Sequence, residues 1–128
     1  MPKKIPKAKR ISKLIKAADK LWSEKVRERD GYVCQVSGCG KSPAFAHHIF
    51  SRRHYSTRWD IENGFTICWG HHKMGHVDHE WLRDQITCKT GLEVFEILKC
   101  KAREVMHGKR TEFYLMEVIR GLKGEEGD

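Results

Sequence analysis

Asn63-Gly64-Phe65-Thr66-Ile67-Cys68-Trp69-Gly70-His71-His72-Lys73-Met74-Gly75-His76 passes from turn to strand to helix without a break. Asn-Gly is a turn dipeptide. Phe65 to Cys68 is a short run with the apolar and β-branched content of a buried strand. From Gly70 the chain can enter a helix, and His72 and His76, four apart, then share one face of it. Upstream, Ala44 to Phe50 predicts a strand with Phe45, His47 and Ile49 on one face and Ala46, His48 and Phe50 on the other. Ser51 to Glu62 reads as a polar loop in which Tyr55 and Trp59 fold back on the core. The order is strand, loop, strand, helix, which predicts an α+β fold.

The stretch from Cys34 to His76 crowds side chains of the metal-binding type. Cys34, Cys39, His47, His48, Cys68, His71, His72 and His76 all fall within it, with His54 in the loop. These are too many ligands for one ion and suit two ions with different jobs. A structural zinc takes four tetrahedral ligands and leaves no open position. Two knuckles brought together by the hairpin supply them: Cys34 with Cys39, and Cys68 with His71. His71 is assigned there because it sits three residues after Cys68, although the adjacent pair His71-His72 leaves two registers open. Cys88 and Cys100 have no partners at ligand spacing and read as ordinary thiols. Adjacent strand residues point to opposite faces, so His47 and His48 divide their labour: one is a ligand, the other is not. His72 and His76 can reach the ion held by the strand histidine. An imidazole titrating near neutrality suits proton transfer from water.

Outward from this window, the chain has 128 residues, which predicts one domain. It is 39% hydrophobic and 33% charged, and no apolar run approaches the ~20 residues that span a bilayer. No membrane association is therefore expected. Met1 to Lys7 is charged but has no apolar stretch behind it, so it is not read as a secretory signal. Five cysteines, an odd number, clustered with histidines favour metal binding over disulfides, and predict a reducing, cytoplasmic setting. The formal net charge of +8 is uneven: residues 1–30 carry +7, residues 31–90 carry +2 and residues 91–128 carry −1. Basic groups at one end suit a polyanion such as nucleic acid. Residues 1–10 read as a flexible basic arm, with Lys3, Lys4 and Lys7 as phosphate contacts. Arg52, Arg53 and Arg58 in the loop are further candidates, because a guanidinium matches phosphate geometry.

Helices flank the hairpin. Leu14, Ile15, Ala18, Leu21, Trp22 and Val26 recur at helical spacing from Ser12 to Arg29, with Ser12 or Asp19 as cap and Asp30-Gly31 as stop. Tyr32, Val33 and Val36 predict a short extended segment holding Cys34. Asp78 caps a helix with Trp81, Leu82 and Ile86. Thr90 and Glu93 have capping-box spacing, opening a helix with Leu92, Phe95, Leu98, Ala102, Val105 and Met106. Thr111 opens the last helix, with Phe113, Leu115, Val118, Ile119 and Leu122. The predicted layout is an arm (1–10), one domain (11–123) with its core at about 32–77 and a helical extension at 78–123, and a frayed tail (124–128).

Ala46-His47-His48-Ile49, then Asn63, then Cys68-Trp69-Gly70-His71-His72 with His76 resembles the HNH endonuclease family, the ββα-metal or His-Me finger nucleases. The resemblance implies a ββα-metal core in which His47 binds a catalytic divalent ion (Mg²⁺, Mn²⁺, Ni²⁺ or Zn²⁺) and His48 is the general base. It implies that Asn63 ties down the hairpin loop, that His72 completes the metal site, and that His76 matches a further ligand of the colicin-type members. Many members carry paired Cys-x2-Cys knuckles around this core; here the first knuckle is x4 and the second ends in His71. Ser51 to Gly64 and the helix from Asp19 to Asp30 look similar to phage-encoded HNH proteins of the NinG recombination group. The implied activity is hydrolysis of DNA phosphodiester bonds with low sequence specificity, by nicking or cleaving, leaving 5′-phosphate and 3′-hydroxyl ends. The implied substrate is double-stranded DNA, branched forms included, in phage recombination or processing within the host cytoplasm. Two other readings stand beside it: a non-catalytic zinc-dependent nucleic-acid-binding module, and a branched-DNA recombination factor. Monomer and homodimer are both compatible with the sequence.

Overall fold

In a computed structural model the described residues are 4–104 and 111–124. Lys3, Val105, Met106 and residues 125–128, to which the sequence gives roles above, lie outside them. The elements in chain order are α1 (Lys7–Arg29), β1 (Ala44–His48), α2 (Tyr55–Arg58), a 3₁₀ turn (Ile61–Asn63) and β2 (Gly64–Cys68). There follow α3 (Trp69–Val77), α4 (His79–Thr90), α5 (Leu92–Ala102) and α6 (Glu112–Leu122). Among the described residues this is an α+β arrangement of six α-helices and one two-stranded antiparallel sheet.

β1 and β2 pair with Ala44 opposite Cys68 and His48 opposite Gly64. A lone hairpin is marginal in water, and here both faces are covered. One face meets α1, α2 and α6 through Ala18, Trp22, Val26, Trp59 and Leu115, with Ala46 packed against them. The other meets the knuckle, α4 and α5 through Cys34, Val36, Phe65, Ile67, Ile86 and Phe95. All five β2 residues are therefore buried, and β2 reads as a continuous run rather than as an alternating strand. Each large side chain so buried contributes about 1.5–3 kcal/mol.

Gly64 is what lets α1 lie this close. A Cβ there would stand 2.3 and 2.7 Å from the two Val26 methyls and 3.1 Å from the Trp22 ring. The end of α1 is stapled at the same place. Asp30 pairs with Arg29 at 2.9 Å and accepts from the Thr66 backbone N–H, while Arg29 donates to the Ile61 and Gly64 carbonyls. Burial pushes the Asp30 carboxyl up, but the Arg29 guanidinium and the Thr66 N–H outweigh it and hold it below its ordinary value.

The structure departs from several of the sequence-based expectations. The segment expected to be an arm is helical from Lys7, five residues before Ser12, with Pro6 at the N-cap. Arg10 pairs with Glu112 of α6 at 3.0 Å, which anchors this turn to the body. The extended segment expected at Tyr32 to Val36 is confined to Cys34 and Gln35, with a turn at Gly31 and Tyr32 before it and a bend at Val36 after it, and left-handed Gly31, Tyr32, Gly38 and Gly40 curl the chain on either side. Thr90 ends α4 instead of capping α5; left-handed Gly91, at φ 95°, links the two helices directly. Leu92 and Phe113, counted in the apolar pattern of their helices, are exposed. Asp78 and Thr111 do cap their helices, accepting from the N–H groups of Trp81 and Tyr114.

Gly64→Ala is expected to lower stability by about 1–3 kcal/mol through overpacking against Val26 and Trp22. Thermal melting checks this, and an unchanged midpoint would mean that α1 does not lie against β2 as described.

Candidate functional site

β2 ends at Cys68, which is also the N-cap of α3. This puts the Cys68 sulfur at a helix N-terminus, where backbone N–H groups favour a thiolate. Burial pushes this thiol up, yet the backbone N–H groups of His71 and Gly70 and the Cys34 and Cys39 thiols outweigh it, so it lies below its ordinary value. Burial pushes Cys34 up to about 11. Cys34, Cys39, Cys68 and His71 bring one ligand atom each to within 4.8 Å of one another. Cys68 Sγ and Cys34 Sγ lie 3.3 and 3.6 Å from His71 Nδ1, and the Cys39 and Cys68 sulfurs are 4.0 Å apart. Tetrahedral zinc, with Zn–S near 2.3 Å and Zn–N near 2.0 Å, places its ligand atoms ~3.5–3.8 Å apart. The quartet therefore fits zinc, and His71, not His72, is its imidazole.

One residue along α3 is a rotation of about 100°, so His72 leaves the quartet and turns to β1. Its ring lies 5.3 Å from that of His47 and 4.6 Å from that of His76. Two imidazoles on one ion, with metal–nitrogen distances of ~2.1 Å, have ring centroids roughly 4.5–5.5 Å apart. His72 thus lies at such a separation from His47 and from His76, while among the described residues the group whose ligand atoms gather within 4.8 Å of one another is the cysteine-rich quartet. His47 is held down to about 4, first by burial and then by the neighbouring His72, His48 and His76. His72 is lowered by burial and by His76. Both are neutral near pH 7, the form that binds metal.

His48 points to the opposite face of β1. Its ring stacks on Trp22 at 3.8 Å and 10°, and its Nε2 lies 3.0 Å from the Arg58 carbonyl oxygen. A carbonyl only accepts, so Nε2 carries the proton and the neutral ring keeps its lone pair on Nδ1. Burial is the first cause that holds His48 down to about 4; the Arg58 carbonyl and Asp19 push it up, and Arg52 and Arg58 push it down. Asn63 is fully buried. Its amide accepts from the Phe50 N–H and donates to the Phe50 carbonyl, and its own carbonyl accepts from the Ile49 N–H. The loop after β1 is thereby closed on the residue before β2.

The basic candidates divide. Lys4, Lys7, Arg52 and Arg53 are exposed. Arg58 is not free: its Nε and Nη2 donate to Asp19 at 3.1 and 2.8 Å, and its side chain is only 14% exposed. Trp59 donates to the same carboxylate. Arg58 is thus a structural anchor for the loop rather than a phosphate contact, because Asp19 already satisfies it. Three features are not among the sequence-based candidates for these roles. Asp19, a candidate helix cap by sequence, is this anchor. Lys9, Lys13, Lys16 and Lys20 form an exposed ridge along α1, legible in their 4-3-4 spacing. His79 and Arg83 line a cavity of about 290 Å³ with His47, His72 and His76; only the chain reversal at Asp78 brings them there. A second cavity of about 390 Å³ lies on the other side of His47, lined by His48, Arg52 and His72 among others.

The chain matches no family model, no curated protein and no solved structure.

Purified protein is expected to hold one tightly bound zinc, lost on Cys34→Ser but kept on Cys88→Ser and Cys100→Ser, whose thiols are exposed. Structural zinc contributes ~10 kcal/mol or more in small domains, so chelation should collapse the melting transition. Elemental analysis with melting curves checks this; full zinc content in Cys34→Ser would contradict the quartet.

Proposed function

We propose that this protein is a metal-dependent endonuclease of the HNH type that hydrolyses DNA phosphodiester bonds. The observation that carries the reading is the gathering of His47, His72 and His76, ring beside ring, next to an adjacent His48 whose Nε2 is held by the Arg58 carbonyl so that its lone pair lies on Nδ1. A divalent ion held by His47 and His72, with His76 beside them, would supply Lewis acidity against the charge that grows on the phosphate and on the leaving 3′-oxygen. The residues themselves do the rest. His48 Nδ1 takes a proton from water as the water oxygen bonds to phosphorus and the bond to the 3′-oxygen breaks. The products are a 5′-phosphate and a 3′-hydroxyl. Trp22 and the Arg58 carbonyl hold the His48 ring in one orientation and one tautomer. Asn63 keeps the loop of Arg52 and Arg53 closed over the hairpin. Those guanidiniums and the α1 lysines would grip backbone phosphates, which carry no sequence information, so cutting is expected to be weakly specific.

A non-catalytic zinc-dependent binding module would account for the quartet and the lysine ridge. It would not account for His47, His48, His72 and His76, which line two cavities that share His47 and His72, and on that ground the nuclease reading is preferred. A role in phage DNA recombination, action on branched DNA and a cytoplasmic setting rest on the resemblance to NinG-type proteins alone. Among the described residues no helix is long and apolar enough to cross a membrane.

Supercoiled plasmid incubated with Mg²⁺, Mn²⁺ or Ni²⁺ tests the proposal. Wild type should nick it, and His48→Ala should be slower by about a hundred-fold or more while retaining its zinc. No nicking with any ion, or undiminished nicking by His48→Ala, contradicts the assignment.

A further inference from the structure

Two large aromatics stand in solvent at the mouth of the cavity on the His48 side. Phe45 is 47% exposed and Trp69 is 57% exposed. Their ring centroids are 6.1 Å apart with planes at 81°, so they form a corner. Both line the same cavity as His47, His48, Arg52 and His72. Trp69 also stacks on His72 at 5.8 Å and 28°, and the Lys73 ammonium lies 5.4 Å from the indole centroid. Scattered exposed apolar residues are ordinary. A right-angled pair bordered by imidazoles, a guanidinium and an ammonium is a ligand-shaped surface.

We propose that Phe45 and Trp69 form a stacking corner for one unpaired nucleobase of the nucleotide beside the scissile phosphate. The inference rests on the nuclease reading for its choice of ligand. A flat aromatic face holds any base by stacking, worth ~1–3 kcal/mol per base. Arg52 and Lys73 supply positive charge for the adjoining phosphate, which favours a nucleotide over an apolar peptide. Inside a duplex each base is covered above and below by its neighbours, so only an unpaired or extruded nucleotide offers a free face. The corner therefore selects for DNA that is locally unpaired at the cut site, and it does so without reading sequence.

The test uses two duplexes of equal length, one fully paired and one carrying a single unpaired 2-aminopurine, titrated with zinc-loaded protein without a catalytic metal. Wild type is expected to quench the 2-aminopurine and to bind the second duplex about ten-fold more tightly. Trp69→Ala should lose both the quenching and the preference while keeping its zinc and its affinity for the paired duplex. Trp69→Phe should keep most of both. If Trp69→Ala fails to hold zinc, Phe45→Ala is the deciding variant, and the same loss of preference is expected. Equal binding of the two duplexes by wild type, or an undiminished preference in the alanine variants, overturns the corner. Plasmid nicking separates this proposal from the one on which it rests: quenching without nicking by wild type keeps the corner and removes the nuclease reading, and nicking without preference does the reverse.

Discussion

Four ligand atoms within 4.8 Å of one another constrain most of what surrounds them. Cys34 and Cys39 belong to the turn after α1, Cys68 closes β2, and His71 lies in the first turn of α3. Holding them together fixes the knuckle to the hairpin and fixes the rotation of α3 about its own axis. With His71 committed inward, His72 must face β1, and His76, one turn further on, follows it. A domain of this size has a net stability of only ~5–15 kcal/mol, so a zinc ion held by this quartet would be a principal term in the fold. The placement of the histidine trio is in this sense a consequence of the structural site.

The other wall is α1. It buries Trp22 against His48, ties Trp22 Nε1 to the Asp60 carbonyl, and anchors the loop by the carboxylate of Asp19. That carboxylate holds the Arg58 guanidinium, and the Arg58 carbonyl is the acceptor for His48. One residue of α1 is thus two steps from the proposed base. Gly64 makes the close approach possible, so helix packing and the orientation of His48 are one problem. The exposed lysine ridge faces away from this wall, and it explains why the N-terminal charge is carried on a helix instead of on a loose arm.

Much of the hairpin is legible in the sequence because its signals are local. Period-2 alternation puts His47 and His48 on opposite faces, and each lies where that parity requires. The spacing from Cys68 points to His71 as the imidazole of the quartet but leaves His72 open, and the choice falls to the fold, which sets His71 Nδ1 3.3 Å from the Cys68 sulfur. What is not legible depends on distant partners. Arg58 looks like a free loop cation because nothing local marks Asp19, 39 positions away, as its mate. Lys7 to Arg10 looks like an arm because the Glu112 that pairs with Arg10 is on the last helix. Thr90 and Glu93 have capping-box spacing, but left-handed Gly91 takes the junction. Leu92 and Phe113 have the right helical period and are exposed.

Two sites of different chemistry share one hairpin: a Cys/His quartet that fits zinc, and an open histidine site proposed to take a second ion. Crystals of zinc-loaded protein soaked in Mn²⁺ with a short, hydrolysis-resistant oligonucleotide test this most directly, by anomalous scattering at the two absorption edges. Zinc is expected among Cys34, Cys39, Cys68 and His71, and manganese bonded to His47 and His72 with a phosphate oxygen beside it. Manganese absent from the histidine site, or bound elsewhere while the phosphate avoids His47 and His72, would contradict it.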